Sequence, residues 1–220
     1  MFAFFYMKTF LGPALKYFAL FVLLYGVLTG ISLIPQVGKL CNDLYRSPTE
    51  AILGKMLSKA YIQIKPEGSS YETLRVEFAS KALVKQQMAE AEKTGQKMAN
   101  IAGQTNMVNY HNLFLSFFLF YAVLVFLSPI TWNEKLVSMA IGTLLYYVYT
   151  VFKLYLILLI FFNQPDTLIY QTGDFALRLV KGIRFCMTLG ANVLVVLLIW
   201  AVLVLRKGNW RGVLGGGINV

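Results

Sequence analysis

The chain has 220 residues, 58% hydrophobic and 14% charged, whereas soluble domains run near half apolar and about a quarter charged. Twenty Lys and Arg against ten Asp and Glu give a net charge of +10. No stretch interleaves basic and aromatic residues as a nucleic-acid surface does, and two cysteines with one histidine are too few for the usual four-ligand zinc site. No CxxC, HExxH, Walker loop, GxGxxG or GxSxG occurs, so the common enzyme and cofactor signatures are missing, and neither metal nor cofactor is expected. The charges collect between about residues 36 and 110 and in short connecting pieces. The rest reads as membrane protein, with cations flanking the spans and meeting headgroups.

Taken in chain order, residues 1–16 form a short N-terminal flank carrying Lys8 and Lys16. Tyr17 to Ile34 is a first span stopped by Pro35, longer than a signal-peptide core and followed by no A-x-A site. Gly26 and Gly30 in it form one GxxxG, expected to pack within the chain.

Residues 36–110 read as an extramembrane helix, hairpin and second helix. Ser47-Pro48-Thr49-Glu50 predicts a helix start through a capping box with proline at the first position. Tyr61–Lys65 alternates, with Ile62 and Ile64 on one face. Pro66 to Ser70 is a turn cluster, and Leu74, Val76 and Phe78 alternate again. Ser80 to about Ala102 is rich in helix formers. Such a segment buries little by itself and is expected to lean on the membrane or on another subunit.

Three more spans follow: 112–131, 136–162 and 186–205, the first ending at Pro129 and Trp132. Residues 163–185 form an extramembrane loop, and 206–220 a tail with a flexible Gly215-Gly216-Gly217. The predicted fold class is therefore an all-α membrane protein of four transmembrane helices, with a small α+β segment between the first two. Lys8, Lys16, Lys135, Arg206, Lys207 and Arg211 on one side outnumber Arg178, Lys181 and Arg184 on the other. That bias predicts both termini in the cytoplasm, in a bacterial inner membrane.

Three groups of residues are candidates for chemistry or binding. In a four-span layout Cys41, His111 and Cys186 fall on one side of the bilayer, near Arg46, Arg184, Asn109 and Asn112. A cysteine–histidine pair forms an activated thiolate, giving Cys41, His111 and Arg184 as catalytic candidates. The same cysteines are open to a Cys41–Cys186 disulfide in an oxidising compartment, or are simply small apolar residues. Lys153 lies inside the third span, where a charge is costly. With Tyr146, Tyr149 and Thr150 at helical spacing it predicts a polar stripe, facing a helix, a cavity or a substrate path, unless Lys153 snorkels to the headgroups. No Asp or Glu lies inside a span, which argues against transport by charge relay. Finally, Asp174–Phe185 carries Arg178, Lys181 and Arg184 three apart beside Phe175, Leu179 and Ile183, as in a helix contacting anionic lipid. A break at Gly182 is expected to separate it from the last span.

The arrangement of several spans with Cys41, His111 and arginines at one face resembles exosortases and their small associated membrane proteins. The resemblance implies cutting and transfer of sorting signals by cysteine, arginine and histidine. The chain is shorter than a typical exosortase, has no contiguous motif around Cys41 or His111, and runs cysteine, histidine, then Arg184, where histidine would come last. The reading that accounts for most residues is a non-enzymatic accessory or scaffold subunit, with the lipid bilayer and other membrane proteins as partners and no nucleic acid. A membrane-surface thiol transpeptidase or acyltransferase using Cys41 and His111 is the first alternative. A small transporter or channel with Lys153 in its path is the second.

Overall fold

The computed structural model describes residues 2–67, 73–94, 103–165, 167, 169–188 and 190–208. It is mostly helical, with one three-stranded sheet. Helix α1 covers Phe2–Ser32 and α2 covers Pro35–Met56. Strands β1 (Ala60–Pro66) and β2 (Thr73–Ser80) follow, then α3 (Lys81–Thr94) and β3 (Gln104–Asn109). A π-type turn at His111–Leu115 opens α4, Ser116–Leu127. Helix α5 covers Trp132–Phe162 and α6 covers Asp174–Thr188. Helix α7, Ala191–Trp200, runs on into a second π-type turn at Ala201–Leu205. Helix α4 is the central post, touching α1, α5 and α7.

Two helical stretches are long and apolar enough to cross a membrane, Ala14–Ser32 and α5, and a third is reached if α6 and α7 with its π-type turn count as one. Four helices of that length were expected. The apolar run His111–Leu127 is shorter, because Ser128 turns extended in front of Pro129. The last run is divided: α6 and α7 meet at 73°, beside Gly190 at φ 71°, a left-handed conformation that glycine adopts without steric cost. The break therefore lies at Gly190 and not Gly182, which stays inside α6, and Cys186 belongs to α6.

The helix start expected at Ser47 is also corrected. Helix α2 begins at Pro35, with proline in its first turn, and carries Pro48 inside it. Thr49 turns its hydroxyl back onto the Tyr45 carbonyl at 2.6 Å. The Glu50 carboxylate accepts from the Ile64 N–H at 2.9 Å, so it braces β1 and does not cap a helix. The capping box that does form is Thr131 with Glu134 at the start of α5.

The hairpin has the expected faces. Ile62 pairs with Phe78 and Ile64 with Val76, and all four are buried. Strand β3, which the sequence did not suggest, pairs antiparallel with β2; of its six residues only Val108 is buried. The turn at 68–70, the helix beyond residue 94, Arg211 and the glycine tail lie outside the described residues.

The sheet and the bundle share one core. Ile62, Ile64, Leu74, Val76 and Phe78 cluster with Tyr45 and Leu53 of α2, with Leu57 just beyond it, and with Leu154, Leu158 and Phe162 of α5. The Phe78 ring meets Phe162 edge-on at 5.0 Å, and Tyr170 stacks on Phe162 from the other side at 6.0 Å. The segment was expected to lean on the membrane or on another subunit; within the chain it packs on the end of α5. Deeper in the bundle, the Tyr121 hydroxyl donates to the Ser138 carbonyl at 2.7 Å, against Gly142 of α5. A Cβ on Gly142 would collide with that phenol. Gly142→Ala is therefore expected to destabilise the chain by about 1–3 kcal/mol, read as a lowered thermal midpoint in detergent.

Candidate functional site

Among the described residues no hydrogen bond links the catalytic candidates Cys41, His111 and Arg184. Cys41 is half-buried on α2 and Cys186 is exposed on α6, both as free thiols; the disulfide considered from sequence is not formed. Their settings differ, since Cys41 looks into a cavity between α2, α4 and α5 while Cys186 lies on an outward face. Among the described residues no hydrogen bond joins Cys41 to His111. Burial pushes the Cys41 thiol above its ordinary value, which favours the protonated form at neutral pH, opposite to what a nucleophile needs. Arg46 is engaged at the sheet, donating to the Ile64 carbonyl at 3.2 Å and pairing with Asp43 at 2.9 Å. Asn109 accepts from the Asn112 N–H at 2.8 Å and so closes the turn into α4.

The cavity beside Cys41 has a volume of about 360 Å³ and is mainly aromatic and aliphatic, with Tyr45, Tyr110, Phe114, Phe118 and Tyr147 in its wall. Tyr110 donates to the Cys41 carbonyl at 2.9 Å. Tyr45 lies 5.1 Å from Tyr110 and 4.9 Å from Phe114, ring to ring. Burial holds both phenols, Tyr45 and Tyr110, well above their usual range, so both stay neutral.

The polar stripe of α5 is where the structure brings predicted residues together. Each of its members has a partner inside the chain. Tyr146 donates to the Leu113 carbonyl in the π-type turn at 3.0 Å, and Thr150 donates back to the Tyr147 carbonyl at 2.8 Å. Tyr149 and Lys153 both donate to Oδ1 of Asn192 on α7, at 3.1 and 3.0 Å. Asn192 is buried. Tyr146, Tyr149 and Lys153 thus reach neighbouring helices, while Thr150 bonds within α5. The sequence analysis missed Asn192, although a lone amide in the apolar run ANVLVVLLIW is the kind of residue that pairs across helices.

The lipid-facing candidates all sit on α6. Arg178 and Lys181 are exposed and Arg184 is half-buried. Among the described residues none of the three makes an ion pair.

Three comparisons, with protein-family models, with curated proteins and with solved structures, found no significant match to this chain.

Two outcomes follow from these contacts. Asn192→Leu leaves the Lys153 ammonium without its partner and is expected to cost about 1–3 kcal/mol. The double variant Lys153→Met/Asn192→Leu should lose less than the two single losses combined, by about 0.5 kcal/mol or more, in thermal unfolding. In a Cys186→Ser chain, alkylation of Cys41 should rise with pH only above the range where a free thiol reference reacts. A midpoint below that reference would restore the activated thiolate.

Proposed function

We propose that this chain is a non-enzymatic scaffold subunit of a membrane complex. It crosses the bilayer four times with both termini cytoplasmic, and holds its sheet on the opposite face. The observation that carries this reading is the shared core. The final turns of α5 end inside the sheet unit, so the bundle presents a rigid extramembrane platform and not a tethered domain.

The contacts along the bundle support four crossings even though α4 and α7 are short. Tyr25 of α1 meets Ser116 at 2.7 Å, Trp200 of α7 meets Ser128 at 3.0 Å, and Lys153 meets Asn192. These pairings align two common levels. One passes through Ala14, Ser128, Trp132 and Leu205, and the other through Ser32, His111, Lys153 and Asn192. At about 1.5 Å per residue, Trp132 to Lys153 is roughly 30 Å, the thickness of a hydrocarbon core. The large exposed apolar residues of α5 run from Trp132 to Phe152 and stop there, whereas Leu154, Leu156, Leu158, Ile160 and Phe162 are buried. The bilayer would thus end near Lys153, with protein covering the rest of the helix. Local flanking charge favours the cytoplasmic assignment of the first level.

Gly26 and Gly30 support a partner contact. A Cβ at either would meet nothing within 4 Å, so the GxxxG expected to pack within the chain instead faces outward, where a second helix could approach closely. Purification from native membranes in mild detergent is expected to yield a stoichiometric complex, and Gly26→Ile/Gly30→Ile to release the partner while leaving the chain folded. A monomer with no companion protein would remove this reading.

The thiol-enzyme alternative keeps one supporting observation, the opening of Cys41 into an apolar cavity. The raised thiol and the lack of a hydrogen bond to His111 count against it.

A further inference from the structure

We propose that α6 is an in-plane helix of the bilayer interface on the sheet side, and that its basic face takes anionic phospholipid headgroups. The proposal rests on the four-crossing reading for its level, and on the side chains of α6 for its partner.

At helical spacing, α6 divides into three faces of distinct character. Val180 and Met187 point to the bundle, Met187 being buried, and α6 packs on α5 and α7. A second face is apolar and bare: Phe175 is 84% exposed, Leu179 57% and Ile183 37%, with Cys186 beside them. A third carries Arg178 and Lys181, both exposed, with Phe185 between them, also exposed. The faces are about a third of a turn apart, so a helix lying against the bundle at the water–lipid boundary would turn its apolar face down and its basic face up. Apolar side chains of this size are costly to leave in water. The absence of ion pairs to Arg178, Lys181 and Arg184 among the described residues leaves these cations available to phosphate.

Within that reading, named contacts set the level. Gly190 turns the chain at the end of α6, and two residues later Asn192 holds Lys153, where the lipid-exposed part of α5 ends. At the other end of α6, Tyr170 is tied to the sheet unit, its hydroxyl accepting from the Lys59 N–H at 3.1 Å. The helix therefore runs between the sheet and the upper boundary of the spans. Its 73° angle to α7 is the bend that a vertical span needs to become a surface helix. A protein partner would meet the same exposed side chains, but the pairing of a bare apolar face with an adjacent row of cations favours anionic lipid.

The chain has two cysteines, so Cys41→Ala leaves Cys186, on the apolar face, as a single reporter. The full chain carrying a spin label there is placed in vesicles of phosphatidylcholine mixed with phosphatidylglycerol, with insertion checked by resistance to alkaline extraction. The label is expected to collide more with oxygen than with a water-soluble nickel chelate. Three basic residues near an anionic surface correspond to a preference on the order of a hundredfold. Arg178→Gln/Lys181→Gln/Arg184→Gln should therefore lower the phosphatidylglycerol retained after purification by roughly tenfold or more. A label more open to the chelate than to oxygen, or retention unchanged in the triple variant, would overturn the assignment and leave the scaffold reading standing. Protection from both reagents would overturn it in favour of a protein on this face. A chain that fails to insert would overturn both readings.

Discussion

Helix α5 is asked to satisfy two solvents. Its first two thirds present Leu136, Ile141, Leu144 and Val148 outward, while its last turns are enclosed by sheet and α2 through Leu154, Leu158 and Phe162. Both parts are apolar, so one uninterrupted helix is long and apolar enough to cross a membrane and also forms the central pillar of the core beneath the sheet. The sheet unit of three short strands and one well-packed helix is too small to bury a sufficient core of its own. Borrowing the end of α5 supplies the missing surface. The Tyr170 N–H donates to the Phe162 carbonyl at 3.1 Å and so ties Tyr170 to that end.

Polar chemistry inside the bundle follows a single economy. Where water is scarce, a hydroxyl or an amide is cheapest when it is spent on a neighbour's carbonyl or oxygen. Tyr121, Tyr146 and Ser128 each donate to a main-chain carbonyl, and Trp200 donates to Ser128 in turn. Lys135 does the same at the opposite boundary, reaching the Phe126 carbonyl at 2.6 Å beneath the Trp132 and Phe126 rings. The π-type turn at His111–Leu115 fits this scheme, since widened turns leave carbonyls for side chains to claim.

Apolar run length and alternation made the first span, α5 and the β1–β2 hairpin legible from residues alone. Local motifs were less reliable. Ser-Pro-Thr-Glu at 47–50 and Thr-Trp-Asn-Glu at 131–134 have the same spacing, yet only the second caps a helix, because α2 already runs from Pro35 and Glu50 binds the Ile64 N–H of the next strand. Strand β3 carries one buried residue, so its pairing is dictated by β2 and not by its own pattern. The division of the last apolar run at Gly190 was also hidden. The break was expected at Gly182, which stays helical, whereas Gly190 takes the left-handed conformation. For the candidate site, Lys153, Tyr146, Tyr149 and Thr150 were found by their unusual setting. Asn192, which joins two of them, lay in a run read only for its hydrophobicity.

The outer edge of β1 is occupied at Ile64 by two side chains of α2, Arg46 on the carbonyl and Glu50 on the N–H. A sheet normally offers two borders to a foreign strand, and membrane crowding makes such borders hazardous. Here the chain's own Arg46 and Glu50 occupy one of those borders at Ile64, so a foreign strand could not pair there without displacing both ions.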